Sequence, residues 1–171
     1  NPVEAILDSE GIYVGGGNTF LLTKILQEKN LINPLRNVVV DGVPYMGVSA
    51  GTNIACPSMK TTNDMPVVKP KSFQTLGLID FQINAHHHKG NIWYKDGKSF
   101  KMHRGETRAQ RISEYHEFND LPVIGLSEGS AIWWKDGRGQ LLIGGASIFI
   151  PNKEPKNVKI GSNIDKNLDL V

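Results

Sequence analysis

Two periods of hydrophobic residues run along the chain. Behind Asn1-Pro2, the positions Val3, Ala5, Ile6 and Leu7 predict a short helix, with Asn1 as cap and Pro2 in the first turn. Gly11 to Val14 is a short apolar run that predicts a strand, and it ends in the glycine-rich turn Gly15-Gly16-Gly17-Asn18-Thr19. Phe20, Leu21, Leu22, Ile25 and Leu26 then recur at helical spacing, with Thr19 as cap. A further helix is expected from about Pro34, and Pro44 to Val48 reads as extended. Strand, helical crossover and strand is the pattern of parallel sheets with helices on their faces.

The middle, Cys56 to Lys71, is polar and Pro-rich and reads as a loop, and Leu76 to Ile83 is strand-like. Gly90 to Lys101 predicts a hairpin around Asp96-Gly97, because Asp-Gly supplies the positive backbone angles of a tight turn. Gly105 to Phe118 reads as an amphipathic helix and Pro122 to Leu126 as a strand. Ile132 to Trp134 and Leu141 to Ile143 flank Asp136-Gly137 in a second hairpin. Both hairpins carry the string Trp-aromatic-Lys-Asp-Gly, read here as shared turn chemistry. The residues from Asn152 onward, rich in Lys and Asn, are expected to decorate the sheet edge. No low-complexity tract or linker divides the chain, so one α/β domain is expected over residues 1–171.

Composition narrows the function classes. With 19 Lys and Arg against 17 Asp and Glu, the net charge is +2, which argues against a dedicated nucleic-acid binder. The longest apolar stretch, Leu141 to Ile150, is about half the twenty residues that span a bilayer, and no signal segment opens the chain. The single cysteine, Cys56, cannot form an internal disulfide and suits the reducing cytoplasm. The chain does not begin with Met, so a native N-terminus further upstream is expected.

Gly47-Val48-Ser49-Ala50-Gly51 has the form of a nucleophile elbow, a serine on a tight turn between strand and helix. Gly125-Leu126-Ser127-Glu128-Gly129 repeats the form, but the β-like Ile132-Trp133-Trp134 follows it, so only Ser49 has the strand–turn–helix setting. Gly15-Gly16-Gly17-Asn18 lacks the spacing of a dinucleotide fingerprint and a P-loop lysine. It reads either as half of an oxyanion hole, shared with the N–H of Ala50, or as a plain tight turn. Among the five histidines, His86 follows a strand, where catalytic groups of parallel sheets gather, and is the best general base. His86 and His88 on one face of a strand raise a metal reading, but further ligands at a zinc-like spacing are missing. His116 reads as a solvated helix residue. Asp64 and Glu128 compete to orient the base, and Glu128 is favoured because it ends a neighbouring strand.

Taken together these segments resemble the peptidase E (α-aspartyl dipeptidase) family, whose fold is similar to class I glutamine amidotransferases. The resemblance is carried by Val14-Gly15-Gly16-Gly17-Asn18-Thr19-Phe20, Gly47-Val48-Ser49-Ala50-Gly51-Thr52-Asn53, Ala55-Cys56-Pro57 and Thr61-Thr62-Asn63-Asp64-Met65-Pro66. Gln82-Ile83-Asn84-Ala85-His86, Gly105-Glu106-Thr107-Arg108 and Ile124-Gly125-Leu126-Ser127-Glu128-Gly129 follow in the family's order. The resemblance implies a mostly parallel sheet with helices on both faces, the elbow between strand and helix, and β-hairpins in addition. It implies a Ser-His-Glu triad of Ser49, His86 and Glu128, and an oxyanion hole from Gly16, Gly17 and Ala50. Asp64 is then expected to bind the substrate's α-ammonium and Arg108 its aspartyl carboxylate, a division that suits a planar guanidinium.

The sequence departs from the family in three ways. Further strands are expected before Asn1, Ala85 stands where the family commonly has Pro, and the segment from His87 to Arg104 is longer than expected. The expected activity is serine-type hydrolysis of Asp-X dipeptides, with no metal and no organic cofactor required. Small Asp-X peptides are the expected partners, neither nucleic acid nor membrane is, and a homodimer is left open. The rival readings are a cyanophycinase-like hydrolase of β-aspartyl peptides and a non-catalytic peptide-binding relative.

Overall fold

The computed structural model describes residues 1–168. Its first unit is a pair of short parallel strands, β1 (Ile12–Val14) and β2 (Tyr45–Gly47), wrapped by helices α1 (Pro2–Leu7), α2 (Thr19–Glu28) and α3 (Ile32–Val40). Asn1 caps α1 by accepting from the Val3 N–H, as its position before Pro2 predicts. The cap of α2 is Asn18 rather than Thr19: its side chain accepts from the Leu21 N–H, and Thr19 becomes the first helical residue. Helix α3 starts at Ile32, two residues ahead of the expected Pro34, because a proline in the first turn removes no intrahelical bond. Leu26, Leu31 and Leu35 from these helices form a core with Ile54 and Leu76.

Helix α4 (Ala50–Ala55) packs against β1, β2 and strand β3 (Gln82–Ala85), and so joins this unit to a second sheet. That sheet has the order β10-β9-β6-β3, with β6 (Val123–Leu126), β9 (Ala146–Phe149) and β10 (Lys156–Val158). β3 and β6 run parallel, whereas β9 and β10 are antiparallel additions. Every residue of β3, β6 and β9 is buried. Their core gathers Phe81, Ile83, Ile124, Ile148 and Cys56. The β1–β2 pair is the one expected from the strand–helix–strand pattern, β3–β6 is a second parallel pair, and the remaining pairings are antiparallel.

Four local expectations are corrected. Leu76 to Phe81 is not strand. Its backbone docks on the end of α4, Leu76 N–H donating to Ile54 O at 2.9 Å and Leu78 N–H to Ala55 O at 2.8 Å, so the apolar run serves burial rather than sheet pairing. The amphipathic helix is shorter than Gly105 to Phe118: α5 spans Arg108–His116, begun by a Thr107–Gln110 capping box. The hairpins use different turns. β4 (Trp93–Asp96) and β5 (Ser99–Met102) place Asp96 in the strand and turn on Gly97-Lys98, whereas β7 (Ala131–Lys135) and β8 (Arg138–Ile143) turn on Asp136-Gly137, both at positive φ. Finally, the segment after Asn152 does more than decorate an edge. β10 extends the sheet, but α6 (Ile164–Asn167) brings Ile164 into the core, and Asp165 accepts from the Gly139 N–H at 3.1 Å. The end of that segment, residues 169–171, lies outside the described residues. Among the described residues, no helix is long and apolar enough to cross a membrane.

Candidate active site

The carboxyl ends of the four parallel strands supply the candidate residues. β1 leads to Gly15, Gly16 and Gly17, β2 to Ser49, β3 to His86 and β6 to Glu128. This is where open parallel sheets place their ligands.

The elbow is a matter of space. Ser49 has φ 56 and ψ −109, a conformation side chains rarely adopt. A Cβ on Gly47 would sit 2.5 Å from the Gly51 carbonyl oxygen, and one on Gly51 would overlap the Val14 carbonyl of β1. Only glycine at both positions lets α4 turn back so closely onto the strands. The Tyr45 hydroxyl donates to Gly51 O at 2.7 Å and Thr52 Oγ1 to Gly47 O at 2.9 Å, which holds the turn from both ends. Burial raises the Tyr45 phenol's pKa well above its ordinary value, so it stays a donor.

Ser49 Oγ lies 2.8 Å from His86 Nε2, and His86 Nδ1 contacts Glu128 Oε1. The three side chains thus form one chain of hydrogen bonds. It is open to solvent, with the His86 and Glu128 side chains 47% and 77% exposed. His86 is itself at φ 56, directly after β3 ends. The chain therefore leaves the strand at this point, and His86 and His88 do not share a strand face. A Cβ on Gly16 would lie 3.3 Å from Ser49 Cβ, so this glycine backbone runs directly beside the serine. Ala50 is the first residue of α4, and its N–H has no acceptor within the helix.

The second G-x-S-x-G copy has a different task. Gly125 leaves room for the His87 ring, which a Cβ would approach to 2.6 Å. The turn after it, closed by Ser130 N–H on Ser127 O at 3.2 Å and tied by Ser127 N–H to Gly145 O at 3.0 Å, presents Glu128. Ser127 is a turn residue.

Asp64 accepts from the Thr19 N–H at 2.7 Å with one carboxylate oxygen, at the start of α2, and Asn18 Nδ2 donates to Met65 O at 2.9 Å. The glycine turn and the Thr61–Met65 loop are thereby stapled together. Arg108 opens α5 half-buried, and its Nε is buried without a partner. Burial, and then the neighbouring Arg111, lower its pKa from the usual arginine value. The unpartnered Nε–H is a donor that an anionic ligand could satisfy. His116 is bound locally, its Nε2 3.1 Å from Leu121 O, which agrees with a helix-surface role.

Sequence reasoning missed the groups that hold these parts in place. Asn84 donates to Thr61 O at 2.9 Å and to Asn63 Oδ1 at 3.0 Å, while Asn63 Nδ2 donates to Ala85 O at 2.7 Å. His87 is 3% exposed, has Nδ1 3.2 Å from Asn84 Oδ1, and meets Phe149 edge to face. Burial pushes its pKa down to about 4, with the neighbouring His88, Arg108 and Lys89 adding to the effect. Asn53 Nδ2, on α4, donates to Thr19 Oγ1 at 3.2 Å and to Thr62 Oγ1 at 3.1 Å. Asn84 was visible only as part of a motif, because β3 is buried on both faces and shows no alternation.

Comparison with known proteins finds relatives over most of the chain. The sequence model described as peptidase family S51 matches residues 1–142. The chain is 42% identical to a Streptomyces coelicolor protein named "Peptidase E", over 99% of this chain and 68% of that protein. It is 43% identical to "Peptidase E" of Shewanella sp. W3-18-1, covering 96% of this chain and 67% of the relative. It is 45% identical to the "Probable alpha-aspartyl dipeptidase" of Drosophila melanogaster, over 75% of this chain and 51% of that protein. In fold it is similar to the crystal structure of a Listeria monocytogenes EGD-e protein assigned to peptidase E, with a TM-score of 0.55 at 21% identity, covering 93% of this chain and 64% of the other. The chain thus spans about two thirds of the length of its Streptomyces and Shewanella relatives and of the Listeria structure. With an elbow serine, a histidine and a carboxylate at the ends of its parallel strands, and a family match over residues 1–142, the chain belongs to peptidase family S51.

Proposed function

We propose that this protein is a serine-type dipeptidase that hydrolyses peptides with an N-terminal aspartate, through a triad of Ser49, His86 and Glu128. The observation that carries the reading is the continuous contact from Ser49 Oγ through both nitrogens of His86 to Glu128, on an elbow that only glycines at 47 and 51 permit. Names of relatives point the same way, since one is called an α-aspartyl dipeptidase and others peptidase E.

In this reading Ser49 Oγ attacks the scissile carbonyl carbon as its proton passes to His86 Nε2. Glu128 accepts from Nδ1–H, which selects the tautomer with a basic Nε2 and stabilises the imidazolium that forms. The N–H groups of Ala50 and of Gly16 or Gly17 receive the oxyanion. Collapse of the tetrahedral intermediate breaks the C–N bond, His86 returns the proton to the departing amine, and water then hydrolyses the aspartyl ester by the same steps. Asp64 receives the α-ammonium with its free carboxylate oxygen, and Arg108 pairs with the aspartyl side chain. The unpartnered Arg108 Nε supports that last role. The residues act as a single catalytic α/β domain in the cytoplasm, and the scheme uses no metal or organic cofactor.

Ser49→Ala should reduce hydrolysis of Asp-Leu to the residual rate of binding and oxyanion stabilisation, roughly a thousandfold or more below the parent. Ser127→Ala should stay active. The reverse result would overturn the assignment. Hydrolysis of β-aspartyl-arginine in preference to Asp-Leu would favour the cyanophycinase-like rival, and turnover of neither peptide would favour a binding protein.

A further inference from the structure

The segment from Lys89 to Arg104 carries the β4–β5 hairpin, and every residue of both strands is exposed. A two-stranded hairpin is marginal in water without a surface to cover one face. Its register sorts the side chains: Trp93 opposes Met102 and Lys95 opposes Phe100 on one face, while Tyr94 opposes Lys101 and Asp96 opposes Ser99 on the other. The second face is closed by a Lys101–Asp96 ion pair. The first is largely apolar, with Trp93 62% and Phe100 69% exposed. A concavity of about 580 Å³, the size of a small-ligand site, is lined by Trp93, Phe100 and Met102 of this face, by Tyr94 and Lys101 of the other, and by His103 and Arg104 beyond the strands.

The hairpin's two ends are fixed at the site. It leaves through His87, directly after His86, where the His87 N–H donates to Leu126 O at 2.9 Å, and it returns into the Thr107 cap that begins α5 at Arg108. At most about 25 Å of extended chain separates Trp93 from His86. Residues 89–104 hold five Lys or Arg and one Asp, and that Asp is taken by Lys101. Among the described residues, Arg104 has no carboxylate partner. A dipeptide brings to such a surface a side chain in its second residue and a free carboxylate at its end.

We infer that the apolar face of this hairpin, with Arg104, is the subsite that reads the second residue of the substrate: a large apolar side chain lies against Trp93, Phe100 and Met102, and the C-terminal carboxylate pairs with Arg104. The inference rests on the Asp-X reading of the site. It gives the long segment between base and specificity arginine a definite task, the choice of the leaving residue.

Calorimetric titration of the Ser49→Ala protein with Asp-Phe, Asp-Gly, Asp-Phe-amide and Ala-Phe tests it. Asp-Phe should bind roughly tenfold tighter than Asp-Gly and than its own amide, the discrimination one apolar or one charged contact supplies. The Trp93→Ser/Phe100→Ser variant should bring the Phe-over-Gly ratio close to one, and Arg104→Gln should do the same to the acid-over-amide ratio. Both variants alter exposed side chains, and circular dichroism checks their fold; should the double variant not fold, Arg104→Gln decides alone. If both ratios persist in the variants, the subsite is elsewhere. If the double variant instead dissolves a dimer in sedimentation and leaves both ratios intact, a second copy covers the apolar face and the inference falls. Equal binding of Asp-Phe and Ala-Phe would overturn the Asp-X reading and the subsite with it, whereas preference for Asp without preference for Phe would overturn the subsite only.

Discussion

Ser49 and His86 both stand at φ 56, and in each case the strain is local and held by tertiary contacts. The neighbours of His86 separate chemical from binding roles. Glu128→Gln should slow turnover of Asp-Leu by orders of magnitude, by analogy with about 10⁴ for a serine-protease triad acid, and leave the preference for Asp over Asn unchanged. Arg108→Met should erase most of that preference, because Asn offers no charge to pair; kcat/KM for Asp-Leu and Asn-Leu reads both effects. Unchanged discrimination in Arg108→Met would move the charge reader to Lys89, Arg104 or the extra histidines of the long segment. His87 makes a pH prediction. Its folded pKa of about 4 lies below the unfolded value of about 6.5, so in that window the unfolded chain binds more protons. Stability should therefore fall as pH drops from about 6.5 toward 4, by on the order of 3 kcal/mol once both states are protonated. Urea midpoints at pH 7 and pH 4.5 should show this slope in the parent and a flatter one in His87→Phe, which keeps the ring and loses the titration. Equal slopes would mean that other groups carry the acid sensitivity.

The elements show how one residue string takes two shapes. Trp93 to Gly97 and Trp133 to Gly137 share the string Trp-aromatic-Lys-Asp-Gly, yet Asp96 remains in its strand and Asp136 enters the turn. The difference lies in the surroundings. β7 and β8 are tied to the core through Trp134 on Phe81 and the buried Leu141, with a register shift at Ala131/Ile132, whereas β4 and β5 are exposed throughout. The elbow is the opposite case, an element fixed by two missing side chains. Gly51→Ala would force α4 away from the Val14 carbonyl, so a destabilisation of about 2–3 kcal/mol, of the size seen for overpacked cores, should accompany loss of peptidase activity. Thermal melts and an Asp-Leu assay on the same sample check it. A fully stable, active Gly51→Ala protein would contradict the close packing of helix and strand.

Across the molecule, α4 and the 56–81 segment join the helical unit to the four-stranded sheet, and Cys56 lies in that join. Its thiol is 0% exposed, its sulfur accepts from the Ile83 N–H at 3.2 Å, and burial pushes its pKa up to about 12. A thiol reagent should not label Cys56 in the folded protein, and labelling should appear in the denaturant range where circular dichroism reports global unfolding. Labelling that precedes that transition would show that the two parts separate before the chain unfolds. The whole-molecule arrangement also gives the site its position. Ser49, His86 and Glu128 come from three strands and approach one another only because β1–β2 and β3–β6 run parallel, with α4 packed on both pairs.

Local chemistry and short-range period determined much of this protein from the sequence alone. Asn1-Pro2 specified a capped helix, the glycines around Ser49 an elbow, and Asp136-Gly137 a hairpin turn, because each depends on backbone angles and orphan donors within a few residues. Ser49, His86 and Glu128 were legible as residue types at strand ends, and ordered motifs named their family. Only the tertiary structure decided what those residues touch. Leu76 to Phe81 looks like a strand because burial and pairing ask for the same apolar residues, and its backbone bonds chose α4 over a neighbouring strand. The staple between Asp64 and Thr19, the buried network of Asn53, Asn63, Asn84 and His87, and the orphan Nε of Arg108 leave no periodic trace. Apart from the His87–Asn84 and Asn53–Thr62 contacts, these bonds join partners 21 to 45 residues apart, and no local pattern records such distances.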